Sequence, residues 1–76
     1  MSMRENILSA LKKHAYGNIE LHKMNIEVYL KNPAGIGEHS DIMEAIQAEL
    51  DKMAMHEDRL DVIDNWIEDD RVLVRE

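Results

Sequence analysis

The stretch Asn32-Pro33-Ala34-Gly35-Ile36-Gly37 decides the fold of this 76-residue chain. It contains the only proline and two of the three glycines, and it lies midway between two long segments of helical character. Proline moves the residue before it away from the α region, and glycine is the usual residue where a chain must turn. The sequence therefore predicts a first helix that ends near Lys31, a turn over 32–39 and a second helix that begins near Ser40.

The first segment carries apolar residues at helical spacing. A broad arc that faces the core is expected from Ile7, Leu8, Leu11, Ala15, Ile19, Ile26, Tyr29 and Leu30, with the charged residues, Lys12 among them, on the opposite side. A second apolar flank is formed by Ala10, Leu21, Met24 and Val28. So wide an apolar surface predicts that this helix has more than one neighbour. Ser2 and Glu5 have the spacing of a capping box, which predicts a helix over about 3–31.

The second segment shows a seven-residue repeat. One core position of a helical seam is occupied by Ile46, Met53, Leu60 and Ile67, and the other by Ile42, Glu49, His56 and Ile63. Ser40 is a good N-cap residue, and Asp41 suits the positive end of a helix dipole. We therefore predict a second helix over about 40–68 and a C-terminal tail over 69–76.

Two helices of this length joined by a short turn predict an all-α fold, an antiparallel two-helix hairpin that forms a single domain over 1–76. One hairpin leaves half of each apolar arc in water. Two hairpins docked face to face bury that surface in a four-helix bundle, so we expect a homodimer.

Composition and charge restrict the classes of function. The chain has no cysteine, which excludes disulfides and thiolate metal sites, and no apolar run approaches the roughly 20 residues that span a bilayer. The N-terminal residues do not have the pattern of a secretory signal, so we expect a cytoplasmic protein with no membrane contact.

The negative charge is concentrated in the second half of the chain. Residues 41–70 contain eleven Asp and Glu side chains against Lys52 and Arg59, whereas residues 1–40 are nearly neutral. Direct binding of nucleic acid is disfavoured, because that binding rests on basic side chains that neutralise phosphates. A basic protein partner is allowed, and its predicted contacts are Asp51, Asp58 and Asp61, although a solvated face is the simpler explanation of these acids.

Three polar residues interrupt the apolar seams. In an antiparallel hairpin that turns near residue 36, His22 lies level with Glu49, and His14 lies near His56. Facing imidazole and carboxylate groups are how helical bundles bind metals, so His22, Glu49 and His56 are candidate metal ligands. No Glu-x-x-His pair of the di-iron bundles occurs. The simpler interpretation is that these residues hydrogen-bond to one another and fix the register of the helices.

Catalysis has weaker support in the sequence. His22 tuned by Glu49 is a candidate acid–base pair, but no activated nucleophile is present. The glycines of the turn match neither phosphate-binding fingerprint, and no cofactor is expected. The sequence therefore favours a protein that is not an enzyme and leaves the question open.

The block His22-Lys23-Met24-Asn25, followed by Val28-Tyr29-Leu30, Asn32-Pro33 and Gly35-Ile36-Gly37-Glu38-His39, resembles a family of short proteins from marine T4-like bacteriophages, especially cyanophages. The similarity runs from about Glu5 to Trp66. The family has no assigned activity, so the resemblance implies a setting, the cytoplasm of an infected bacterium, and no catalytic residue.

Three functions remain open at this stage. The first is a small acidic helical module that binds another protein, for example a host protein. The second is a metal-binding or catalytic bundle that uses His22, Glu49 and His56. The third is a component of a virion or of its assembly.

Overall fold

The computed structural model describes residues 1–31 and 39–68, apart from the side chains of residues 39 and 40. The first helix, α1, spans Met3–Lys31, and the second, α2, spans His39–Val62. The chain continues from α2 as a π-helical turn, Ile63–Glu68, called the π segment below. Residues 32–38 and 69–76, on which the predicted turn and tail fall, and the side chain of the predicted cap Ser40 lie outside the described residues.

The start of α1 is fixed by a capping box. The backbone N–H of Glu5 donates to Ser2 Oγ at 3.0 Å, and the backbone N–H of Ser2 donates to Glu5 Oε1 at 3.3 Å. These two bonds satisfy N–H groups that have no partner inside the helix. The capping box predicted from the sequence is therefore present.

The two helices pack against each other in antiparallel orientation through one continuous seam. In α1 the seam positions, alternately four and three residues apart, are Leu8, Lys12, Ala15, Ile19, His22, Ile26 and Tyr29. In α2 and the π segment they are Ile42, Ile46, Glu49, Met53, His56, Leu60 and Ile63. Every one of these side chains is buried or half-buried. The prediction of an all-α fold built from two packed helices is confirmed.

The core of this hairpin is thin. Among the described residues, the only buried apolar side chains are Leu8, Ala15 and Leu60, and they are joined by the buried polar residues Glu49 and His56. No described side chain is completely removed from solvent. The hairpin by itself therefore gains little of the apolar burial that normally stabilises a domain.

The predicted core face of α1 is wrong at several positions. Ile7 and Leu11 are 52% and 51% exposed, and Leu30 is 60% exposed. Lys12, expected on the opposite side, lies half-buried at a seam position. The cause is the seven-residue repeat of the seam, which selects one narrow row of α1 and leaves neighbouring apolar residues beside it.

The last turn differs from the regular α-helix predicted to residue 68. Arg4 donates a hydrogen bond to the backbone carbonyl of Ile67, and Lys12 Nζ lies 2.8 Å from Glu68 Oε1. The hydrogen bond with Glu68 raises the pKa of Lys12. The carbonyls at the end of a helix have no intrahelical partner, and acids there oppose the helix dipole. Arg4 thus supplies a hydrogen-bond donor to a carbonyl at this helix end, and Lys12 supplies a positive charge beside one of its acids.

Candidate functional site

The candidate site has a part-buried polar layer at its centre. His22 Nδ1 donates to Glu49 Oε1 across the helix interface at 3.1 Å, and the Asn25 amide donates to the same oxygen. Lys52 Nζ lies 3.8 Å from the other carboxylate oxygen, Glu49 Oε2. Since a carboxylate accepts and does not donate, His22 must carry its proton on Nδ1. The contact predicted between His22 and Glu49 is present, whereas the roles of Asn25 and Lys52 were not predicted.

The hydrogen bonds in this layer keep Glu49 ionised. The Asn25 amide, and then His22, lower the pKa of Glu49 below its usual value, against the opposing effect of burial. A carboxylate with a lowered pKa is a weak base and is not protonated near neutral pH. The layer therefore resembles a structural polar network that fixes the pairing of α1 with α2.

A row of three histidines continues from this layer along the seam. The ring of His56 lies nearly parallel to that of His22, with centroids 6.2 Å apart, and edge-on to that of His14, with centroids 5.8 Å apart. His56 is buried, and its Nδ1 has no hydrogen-bond partner among the described residues. Burial, followed by the nearby charges of Arg59, His14 and His22, lowers the pKa of His56.

The predicted metal ligands are only partly brought together. His22 and Glu49 are in contact, and His56 packs beside His22 by its ring face. Within the described part of the chain, no group of three or more histidine and acidic side chains is arranged to hold a metal ion. The metal site of His22, Glu49 and His56 stays a prediction.

The three acids predicted to contact a partner lie on the outer side of α2. Asp51, Asp58 and Asp61 are all exposed. Asp51 and Asp58, two turns apart, also border an open groove of about 750 Å³ beside the helix interface. The apolar part of this groove includes Leu11 of α1 and Met55 of α2.

A second apolar row on α1 is left without a partner by the described part of the chain. We call it the α1 stripe, and its positions, again alternately four and three residues apart, are Met3, Ile7, Ala10, His14, Gly17, Leu21, Met24 and Val28. All eight residues are exposed, in contrast to the seam of the same helix. The second apolar flank seen in the sequence belongs to this stripe, but Ile7 was assigned to the core instead.

His14 connects the stripe to the core. It is an exposed stripe residue that also lines the groove and contacts the ring of buried His56. Asn18 Nδ2 donates to the backbone carbonyl of His14 at 2.9 Å and lies 3.2 Å from its Nε2. A molecule that covers the α1 stripe would therefore also cover the open side of the histidine row.

Comparisons with models of protein families, with curated protein sequences and with solved structures give no significant match for this chain. Neither α1 nor α2 has a stretch that is long and apolar enough to cross a membrane. Function must therefore be argued from the surfaces and contacts described above.

Proposed function

We propose that this protein is a helical-hairpin module for protein–protein interaction, and that the α1 stripe is its main binding surface. The observation that carries the proposal is that the stripe repeats the spacing of the packed seam while all its residues are exposed. A helix with two apolar rows at coiled-coil spacing is built for two helical neighbours, and α2 supplies only one. Contiguous exposed apolar surface of this kind marks interaction sites.

The geometry favours binding over chemistry. The buried carboxylate of Glu49 is engaged in holding the hairpin together, since it accepts hydrogen bonds from both His22 and Asn25. The groove and the stripe, in contrast, are open and mainly apolar. We therefore assign the polar layer to the register of the hairpin and the open face to a partner.

The acidic outer side of α2 gives this module a second surface. Asp51, Asp58 and Asp61 suit a basic region on a partner protein, and the phage resemblance suggests a protein of an infected bacterium as that partner. Binding of bacterial proteins to the immobilised module should then weaken with added salt and on reversal of these three charges to lysine. Binding that is indifferent to both changes would remove the acidic surface from the proposal.

Photo-crosslinking from inside the stripe tests the main proposal. Leu21 is replaced by photoreactive benzoylphenylalanine, and Tyr16, which is equally exposed on the far side of α1, is replaced in the same way as a control. We expect a protein adduct from position 21 that is much weaker from position 16. Val28→Asp, two turns further along the stripe, should suppress that adduct. Equal adducts from both positions, or none from position 21, would overturn the proposal.

A further inference from the structure

The midpoint of α1 is a glycine that belongs to the α1 stripe. Gly17 lies midway between Met3 and Lys31, the two ends of α1. It is exposed, and a Cβ atom at this position would meet no atom of the described residues within 4 Å. Glycine is unfavourable inside a helix, and the hairpin itself offers no reason for it here. A second helix that crosses α1 at Gly17 would explain the glycine, because glycine allows two backbones to approach closely.

The stripe also matches itself when it is read in reverse. With Gly17 as the centre, Ala10 lies seven residues before it and Met24 lies seven residues after it. Ile7 is ten residues before the centre, and Val28 is eleven residues after it. Two antiparallel copies of α1 would therefore place Ala10 opposite Met24 and Ile7 next to Val28, with His14 next to Leu21 nearer the centre. This is the self-complementarity that a twofold contact requires.

Charge at the edge of the stripe supports the same arrangement. Lys13 lies four residues before Gly17 and Glu20 three residues after it, and seven-residue spacing places them on the same side of α1. Both are exposed, and neither forms an ion pair with another described residue. In an antiparallel pair, Lys13 of each copy would lie opposite Glu20 of the other, which gives two symmetry-related attractive pairs.

The charge pattern of α2 disfavours a twofold contact centred on that helix. His22 of α1 lies level with Glu49 of α2. The helices are antiparallel, so Gly17, five residues before His22, lies level with Ala54, five residues after Glu49. Around Ala54, Asp51 and Asp58 lie three and four residues from the centre, so the two copies would place aspartates opposite each other. Like charges at such positions repel.

The exposed surface of the chain is large enough for this contact. Its accessible area is 5897 Å² for a mass of 8.8 kDa. A compact monomer of that mass exposes about 4,800 Å², so the whole chain, counted with the residues outside the described part, exposes about 1,100 Å² more. A stable interface of standard size takes about 800 Å² from each partner.

We propose that the occupant of the α1 stripe is a second copy of this chain, docked antiparallel, α1 against α1, with the twofold axis at Gly17. The stripe lies on the side of α1 roughly opposite the seam, so one α2 helix then lies on each flank of the α1 pair, with its acidic outer side free. This arrangement is a four-helix assembly with the two α1 helices in the middle. The inference rests on the proposed function, because it names the partner of the surface assigned there.

A charge-swap experiment tests the register. Lys13→Glu and Glu20→Lys each place two like-charge pairs across the interface, so each variant alone should dimerise at least about tenfold more weakly than wild type. An equimolar mixture of the two variants should form heterodimers of near wild-type affinity, measured by analytical ultracentrifugation and native mass spectrometry. If the dimer affinity is the same in wild type, in each variant and in their mixture, the contact lies elsewhere and the inference is overturned.

Cysteine crosslinking provides an independent test that does not depend on charge. The natural chain has no cysteine, so Gly17→Cys introduces a single thiol at the proposed axis, where two copies are close enough for a disulfide. We expect rapid oxidation to a covalent dimer, and much slower oxidation of Tyr16→Cys on the far side of α1. Equal rates, or a monomer at all concentrations, would overturn the inference. An adduct from Leu21 to a different protein would still support the interaction module.

Discussion

At the scale of single residues, Glu49 determines how the hairpin is paired. Its carboxylate accepts hydrogen bonds from His22 and Asn25 of α1 in a part-buried layer, with Lys52 beside it. A polar layer of this kind tolerates only one alignment of two helices, because a shifted register would bury these groups without partners. The cost of that specificity is a core in which apolar contacts are few.

Removing this carboxylate should destabilise the fold. Glu49→Ala leaves the His22 and Asn25 donors without their acceptor, so we expect the free energy of unfolding to fall by about 1–3 kcal/mol. Urea denaturation at fixed protein concentration measures the loss. Glu44→Ala, on the exposed surface of the same helix, is the control and should change stability by less than about 0.5 kcal/mol. Equal stability of the two variants would show that the polar layer does not hold the register.

His56 should make the stability depend on pH. Its pKa is lowered in the folded state by burial, and then by Arg59 of α2 and by His14 and His22 of α1. Above pH 6.5, the ordinary pKa of histidine, both the folded and the unfolded chain hold His56 neutral. Below pH 6.5 the unfolded chain takes up the proton first, so stability declines until the folded pKa is reached.

The measurement is a series of urea denaturations between pH 8 and pH 5. We expect the midpoint to fall as the pH decreases through this range, and to fall less in His56→Leu. Glu49 acts in a separate window, because its lowered pKa stabilises the fold above about pH 4.5 and that contribution is lost only at lower pH. An identical decline in His56→Leu and wild type would assign the effect to another group.

At the scale of elements, the sequence predicted α2 better than α1. The seven-residue spacing in α2 identified most of its seam, since Ile46, Met53 and Leu60 are all buried or half-buried. Its last predicted member, Ile67, is wrong, because that side chain is 40% exposed. In α1 two apolar rows run side by side, and nothing in the sequence alone shows which row faces α2. Ile7 was therefore assigned to the wrong row. The π segment was not predicted, because its geometry depends on tertiary contacts such as the Arg4–Ile67 hydrogen bond.

Gly17→Ala should have opposite effects on the stability of the hairpin and on the affinity of the dimer. Alanine is favoured over glycine in a helix by about 1 kcal/mol, and the added Cβ would meet nothing in the hairpin. We expect the hairpin to gain about 0.5–1 kcal/mol in stability while the dimer weakens, because the two α1 backbones can no longer approach as closely. Circular dichroism at low protein concentration measures the first effect, and sedimentation measures the second. A dimer strengthened by the alanine would argue against a helix crossing at Gly17.

At the scale of the whole molecule, charge and apolar surface are separated between the two helices. The excess of acids lies on α2, whereas the exposed apolar row lies on α1. Association through α1 would bury the apolar surface and keep the acids in water, where they are well solvated and available to a basic partner. A hairpin that left this apolar surface in water would have too few buried apolar side chains among its described residues to be stable.

A thin core also means that folding and association are coupled, so stability should depend on protein concentration. For a dimer that unfolds to monomers, a tenfold rise in concentration favours the folded state by about 1.4 kcal/mol per dimer and should raise Tm by about 3–5 °C. Scanning calorimetry over a hundredfold range of concentration measures this slope. Leu21→Gln in the α1 stripe should lower Tm and flatten the slope, whereas Tyr16→Gln, with 57% exposure against 55% for Leu21, should change neither. A Tm that is independent of concentration in the wild-type protein would show that the hairpin folds alone, and the stripe would then have to bind a partner other than its own copy.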